Sequence, residues 1–472
     1  MRFLVMTPIL LSLCVAVASA DTWLQFRGPN GAGRMPSAAR LPEEIGPEKN
    51  VLWKTPLPPG HSSPVVTDDR IFISGVRDGQ LVTIGLDRQT GKQLWERVAP
   101  HDALEKIHAI GSHAQSSPAS DGEIVISFFG SAGLFAYDKD GEPLWHKPLG
   151  PFSNTFGAGS SPILYGDYVI LNQDHDIDSA LMIFNKTNGE LVRRINRDDF
   201  PRSYSTPIIW EQDGKPQIVV SGTLRIVGYD LETGEEIWTV RELARISNTT
   251  PVIGSDGVLY LAVWSPGADS ENRIQAEPFD ELIDTLDKNK NGALELVEIP
   301  EGALQRRFGQ IDRNKSGEIT RMEYEFMRNV FHSAENAIAA IRPGGTGDIT
   351  DTHVLWKERK TLPYVPSPLF HDGHVYTVKK GGIFTSRDAA TGQVVKTGRL
   401  PATGAYYSSP VYGDGKFYLL NQHGRLSVMT AQPKWKKLST ADFGEDTYAT
   451  PALVDGKIYL RTAGYLYCFG LE

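Results

Sequence analysis

One short pair recurs along this chain and constrains it more than any other feature. A hydroxyl residue followed by proline opens an apolar run at Ser63-Pro64, Ser117-Pro118, Ser161-Pro162, Thr206-Pro207, Thr250-Pro251, Ser367-Pro368, Ser409-Pro410 and Thr450-Pro451. The intervals are 54, 44, 45, 44, 117, 42 and 41 residues, so only one departs from the period. Each unit reads as four short strands separated by Asp-Gly and Thr-Gly pairs, which suit turns that need positive φ. In the first unit these are Ser63–Val66, Ile71–Ile73, Leu81–Leu86 and Lys92–Trp95. A repeat of about 45 residues with four strands predicts a propeller blade. Proline near the start of the first strand is tolerated because that strand lines the channel as an edge.

The expected fold is therefore all-β: an eight-bladed β-propeller of four-stranded blades. The last unit, from Thr450, holds only three strands before the chain stops at Glu472. The missing outer strand is supplied by Asn50-Val51-Leu52-Trp53-Lys54, so the N-terminal strand is expected to close the ring and leave no open sheet edge. The fourth-strand hairpin repeats most clearly as Asp87-Arg88-Gln89-Thr90-Gly91-Lys92-Gln93-Leu94-Trp95 and Asp230-Leu231-Glu232-Thr233-Gly234-Glu235-Glu236-Ile237-Trp238. This Asp-x-x-Thr-Gly-x-x-Leu-Trp pattern resembles the PQQ-like propeller repeat of quinoprotein dehydrogenases and of BamB-like scaffold proteins. Trp23-Leu24-Gln25-Phe26-Arg27-Gly28-Pro29-Asn30 likewise resembles the leader of secreted bacterial members. The resemblance specifies fold far better than function.

The 117-residue interval contains two further motifs. Asp287-Lys288-Asn289-Lys290-Asn291-Gly292 closing at Glu298, and Asp312-Arg313-Asn314-Lys315-Ser316-Gly317 closing at Glu323, have EF-hand spacing. Calcium is a hard cation that takes six to eight oxygens. The expected ligands are Asp287, Asn289, Asn291, the carbonyl of Ala293 and Glu298 in loop one. In loop two they are Asp312, Asn314, Ser316, the carbonyl of Glu318 and Glu323. Apolar stripes before the loops, Phe279–Leu286 and Leu304–Ile311, and after the second, Met322–Met327, predict flanking helices. The loops start 25 residues apart, and few of their ligands are acidic. Weak sites, on the order of 10⁻⁴–10⁻³ M, are expected. Insertion falls in the second-to-third hairpin of blade five, which places the module beside the channel mouth.

The chain divides into 1–20 as a signal peptide, 21–49 as an N-terminal arm, 50–264 and 333–472 as propeller, and 265–332 as the EF-hand pair. The signal rests on Arg2, the apolar run Phe3–Val17 and the small-residue site Ala18-Ser19-Ala20. Export to the periplasm or outside the cell is expected, without a transmembrane segment. Leu13 before Cys14 argues against a lipoprotein. After cleavage Cys468 is the single cysteine, so no internal disulfide forms. A net charge of -9 disfavours nucleic acid.

Residues just before each Ser/Thr-Pro are expected at the channel mouth. They are His61, His113 with Gln115, Phe156, Arg202 with Tyr204, Asn248, Tyr364, Tyr406 with Tyr407, and Tyr448. Of these, His61, His113, Arg202, Tyr204, Tyr364, Tyr407 and Tyr448 are the candidate ligand contacts. No catalytic residue is assigned, since no serine elbow, His-Glu-x-x-His or phosphate loop occurs. The resemblance raises a PQQ-dependent dehydrogenase of alcohols or sugars as the alternative. That class covers its quinone with adjacent cysteines, which this chain lacks. The preferred reading is an exported, calcium-binding scaffold: a monomeric binding propeller with a protein or extracellular polymer partner.

Overall fold

The computed structural model describes residues 21–269, 271 and 273–471; the expected signal peptide, 1–20, lies outside them. Eight sheets of antiparallel strands form the blades. Blade 1 is Val65–Val66, Arg70–Arg77, Gln80–Asp87 and Gln93–Ala99, and the other blades repeat this order from channel to rim. Blade 8 consists of Ala452–Val454, Lys457–Arg461 and Tyr465–Phe469, completed by Val51–Pro56 from the start of the chain. Trp53 pairs with Cys468 and Lys54 with Tyr467 in that join. The ring is thus closed by its two ends, as the strand count predicts.

Seven of the eight Ser/Thr-Pro hydroxyls, all but that of Thr250, hold the ring together from inside. The backbone N–H of Ser63 donates to the Ser117 hydroxyl at 2.9 Å, Ser117 to Ser161 at 3.0 Å, and Ser161 to Thr206 at 3.1 Å. The series resumes with Thr250 to Ser367, Ser367 to Ser409 and Ser409 to Thr450, each 3.0 Å. Thr450 donates back to Ser63 at 2.9 Å and closes the circle. A hydroxyl is the smallest side chain that can accept this bond, and proline next in sequence brings no N–H of its own to satisfy.

At the rim, the fourth-strand tryptophan of one blade covers the glycine turn of the next. Trp95 lies over Gly141, Trp145 over Gly189, Trp356 over Gly392, and Trp53 over Gly91. The indole N–H of Trp95 donates to Lys139 O at 3.0 Å, that of Trp145 to Lys186 O at 2.8 Å, and that of Trp356 to Ala389 O at 2.8 Å. Gly141 has φ +88°, and a Cβ there would stand 2.6 Å from the Trp95 ring. The aspartate that opens the hairpin pins the turn: Asp87 Oδ1 accepts from the Thr90 amide at 2.7 Å and its hydroxyl at 2.6 Å. The repeat pattern is therefore one inter-blade joint written out in sequence.

Two departures mark blades 4 and 5. On blade 5 the Thr346-Gly347 pair is drawn into a strand alongside Trp238, whose indole donates instead to Gln217 Oε1 at 2.7 Å. Gly347–Asp348 adds a parallel fifth strand to the rim of blade 4. Blade 5 is interrupted between Leu259–Val263 and Ala337–Ile341 by the helical segment. Its helices are Phe279–Leu286, Ala303–Arg306, Phe308–Ile311 and Arg321–Ser333, packed on a core of their own that includes Phe279, Leu294, Ile319, Tyr324 and Met327. No helix among the described residues is long and apolar enough to cross a membrane.

The rim joint sets a measurable expectation. Trp95→Ala should cost about 3–5 kcal/mol, the usual range for deleting a buried tryptophan. Gly141→Ala should be destabilising as well, because the turn needs positive φ and the indole leaves no room. Urea midpoints of both variants check this; a midpoint within error of the parent for either would remove the joint from the account of stability.

Candidate functional site

The first strand of each blade runs from the Ser/Thr-Pro pair toward the opposite face. Residues before the pair therefore stand at one mouth, and residues after it at the other. The second mouth is blocked by the N-terminal arm. Trp23 pairs with Val66 through both backbone bonds, at 2.7 and 2.9 Å. Ser120 N donates to Leu24 O, and the Asn30 side chain both donates to Ile209 O and accepts from Ile209 N. Gly33 and Met35 then bond to Tyr412. Arg27, with no exposed surface, donates from Nη2 to Pro368 O at 2.7 Å. The segment resembling a leader is a plug that touches blade after blade.

What remains open is a pocket of about 360 Å³ at the first mouth. Phe26 of the arm lines its base. Above it stand the hydroxyls of Ser63, Ser117, Ser161, Thr206, Thr250, Ser409 and Thr450. The upper wall carries His61, Gln115, Phe156, Tyr204, Asn248, Tyr364, Tyr407 and Tyr448, with His108, Ile110 and Gly111 from the long connection between blades 1 and 2. His61 stacks on Tyr448 with centroids 3.9 Å apart, and Tyr407 lies 5.1 Å from Tyr448. Tyr204 donates to Asn154 Oδ1 at 2.6 Å and meets Phe156 edge-on.

Five of the seven candidate contacts are thus brought to one cavity: His61, Tyr204, Tyr364, Tyr407 and Tyr448. His113 and Arg202 are not. Arg202 forms a two-bond ion pair with Asp176, at 2.7 and 2.9 Å, in a left-handed backbone conformation with φ 54°. His113 turns toward the buried Glu105, its Nδ1 3.8 Å from the carboxylate. Tyr406 is buried between blades 6 and 7 and donates to Ala402 O. In each case a partner off the channel wins the side chain. His108 and Phe26 were not anticipated; neither lies beside a Ser/Thr-Pro pair.

The electrostatics of the wall are uniform. Among the described residues, no lysine, arginine, aspartate or glutamate lines the pocket. Burial, aided by Arg461, pushes His61 down to about 4, so it is neutral near neutrality. Burial raises the phenols of Tyr204, Tyr364, Tyr407 and Tyr448. None of these five groups exchanges a proton near pH 7.

The insert stands on the same face. The second strand of blade 5 runs antiparallel to the first, so its end, where the insert leaves, returns to the open mouth. Trp264 packs edge-on against Tyr364, and Arg313 of the second loop donates to Asp198 O on blade 3. The two loops fold alike. Glu298 Oε1 accepts from the amides of Lys288 and Asn289, and Oε2 from that of Glu295. Glu323 does the same with Arg313, Asn314 and Thr320. Gly292 and Gly317 have φ 86° and 89°, and each donates to the opening aspartate. Leu294 pairs with Ile319, setting the loops side by side.

This donor set of carboxylates, amides and carbonyls suits a hard cation such as calcium. No group of three or more His, Cys, Asp or Glu side chains converges among the described residues. Glu295, at position 9 of loop one, is a third carboxylate that the motif reading passed over. It accepts from Asn289 Nδ2 at 3.0 Å. Thr320 holds the same position in loop two and instead caps the helix Arg321–Ser333, sharing a capping box with Glu323.

The comparisons agree on the architecture. The family described as "Outer membrane protein assembly factor BamB" matches residues 47–262. BamB from Moraxella catarrhalis is 12% identical, covering 89% of this chain and 98% of that one, with a TM-score of 0.53. The computationally designed Ika8 protein is 10% identical over 88% and 98%, with a TM-score of 0.55. The quinohemoprotein alcohol dehydrogenase from Comamonas testosteroni is 13% identical over 96% and 81%, also at 0.55. No curated protein matches the chain. At such identities the structural likeness shows the fold alone, a β-propeller.

A pH expectation follows from His175, which is buried against Phe152 and held down at about 4 by that burial. The unfolded chain takes up a proton at this residue below about 6.5, the folded protein only near 4. Stability present above pH 6.5 is therefore lost as pH falls toward 4, by roughly 3 kcal/mol from this group. His61 acts in the same direction. Urea unfolding at pH 7 and 4.5 should show the loss, and His175→Gln should flatten it; an unchanged slope in the variant would assign the loss elsewhere.

Proposed function

We propose that the protein is an exported, calcium-binding propeller that works by binding rather than by catalysis. Its ligand site is the channel pocket, and its EF-hand pair stands beside the mouth. One observation carries the choice of binding: among the described residues the pocket wall holds no carboxylate and no lysine, and burial takes His61 down to about 4. General acid–base chemistry needs a group with a pKa near the working pH.

The quinoprotein reading fits less well. A quinone that brings its own metal needs acidic and amide ligands in the channel, and the lining offers no acid. The EF-type loops are remote from the channel base and do not substitute. The BamB match supports a scaffold role toward a protein or extracellular polymer, taken up through the open face.

Calorimetric titration of the chelator-treated full chain with calcium tests the metal half of this reading. Two sites are expected on the order of 10⁻⁴–10⁻³ M, loop one the tighter because Glu295 adds a charge. Glu298→Gln should abolish the tighter site and Glu323→Gln the weaker. No calcium uptake would overturn the EF-hand assignment. Dye reduction with alcohols or sugars, calcium and added PQQ tests the other half; quinone-dependent turnover would replace binding by catalysis.

A further inference from the structure

The insert meets the propeller along a groove of about 700 Å³ that shares no lining residue with the channel pocket. Blade 3 forms one side. Ile177 and Asp178 come from its turn between Tyr168–Gln173 and Ala180–Asn185, and Asp198 and Asp199 from the connection after Leu191–Asn196. The helix Arg321–Ser333 forms the other side with Met322 and Phe326, one turn apart on one helix face.

The floor is apolar. Met322 is 82% exposed, and Phe326 and Ile177 are half-buried. Met322 takes no part in the core of the insert, which closes on Phe279, Leu294, Ile319, Tyr324 and Met327. The groove therefore lies outside the EF-hand pair, against its outer surface. The rim is acidic. Asp178, Asp198 and Asp199 are all exposed. Asp178 pairs sideways with Arg194, and the Asp198 carboxylate accepts from Asn196. Among the described residues the Asp199 carboxylate has no partner at all. Arg313 is the one cation in the lining, and it is already committed: its guanidinium lies over the Phe326 ring at 4.2 Å and donates to Asp198 O.

An apolar floor beneath a negative rim narrows the occupant. Nucleic acid and an anionic lipid surface both want a basic face. A lone inorganic cation would use the rim and leave the floor wet. We infer that this groove docks a basic segment of a partner protein. An apolar side chain of the segment sits on Ile177, Met322 and Phe326, and lysines or arginines on either side of it meet the three aspartates. This surface goes beyond the channel reading and adds the kind of partner the scaffold takes at its open face.

Fluorescence anisotropy of the full chain, in calcium, tests this with three labelled dodecapeptides: alternating lysine and leucine, the same with serine for leucine, and the same with glutamate for lysine. The lysine–leucine peptide should bind one-to-one, about tenfold tighter than the lysine–serine peptide, and weaken as sodium chloride is added. The glutamate–leucine peptide should not compete. Asp198→Asn with Asp199→Asn, and separately Met322→Ser, should each weaken binding about tenfold; all three positions are exposed, so the fold is kept. Asp213→Asn with Glu232→Gln removes the same charge from two turns of blade 4 on the opposite face and should change nothing. An equal loss in that control, unchanged binding in the groove variants, or a preference for the glutamate peptide overturns the docking site. Binding of none of the three peptides overturns it too, and a dimer in sedimentation that Met322→Ser dissolves would then give the groove to a second copy of the chain. Each of these failures leaves the channel and calcium readings standing, because neither uses Asp198, Asp199 or Met322.

Discussion

The ring of amide-to-hydroxyl bonds at the Ser/Thr-Pro pairs is the constraint from which the other features follow. Each bond is worth only about 1 kcal/mol net. Their value lies in geometry: the bonds join successive blades at one height, and the bond from Thr450 to Ser63 spans 387 residues of sequence. That height divides the channel. Residues two positions earlier, such as His61 and Tyr204, reach the open mouth, and residues three positions later, such as Val66 and Ile209, meet the arm. The tryptophan joints do the same work at the rim, so each blade is fixed to the next at both radii.

This explains what could be read in the sequence. The inner bond and the rim joint each demand particular residue types at a fixed offset, so eight copies leave a visible period. The insert was visible as the one broken interval, and its loops as contiguous ligand spacing. Residues whose partners lie elsewhere in the sequence were not legible. Position before the Ser/Thr-Pro pair gives a side chain its height but not its direction. Arg202 turns to Asp176, 26 residues away, and His113 to Glu105, and neither pairing leaves a pattern. The arm was opaque for a different reason. It occurs once, has no period, and holds the blades largely through backbone groups that any sequence carries.

Function should then be sought where the ring leaves freedom. The ring positions cannot vary, because most of the hydroxyl oxygens are committed to a neighbour. The positions just above them hold histidine, glutamine, phenylalanine, tyrosine and asparagine in no repeating order, which is the signature of a surface shaped for something asymmetric. The insert breaks the symmetry further. It leaves blade 5 and touches blade 3 through Arg313, so it overlooks one side of the mouth only. With the arm filling the far end, a ligand has a single route, and the insert stands on the face where that route opens.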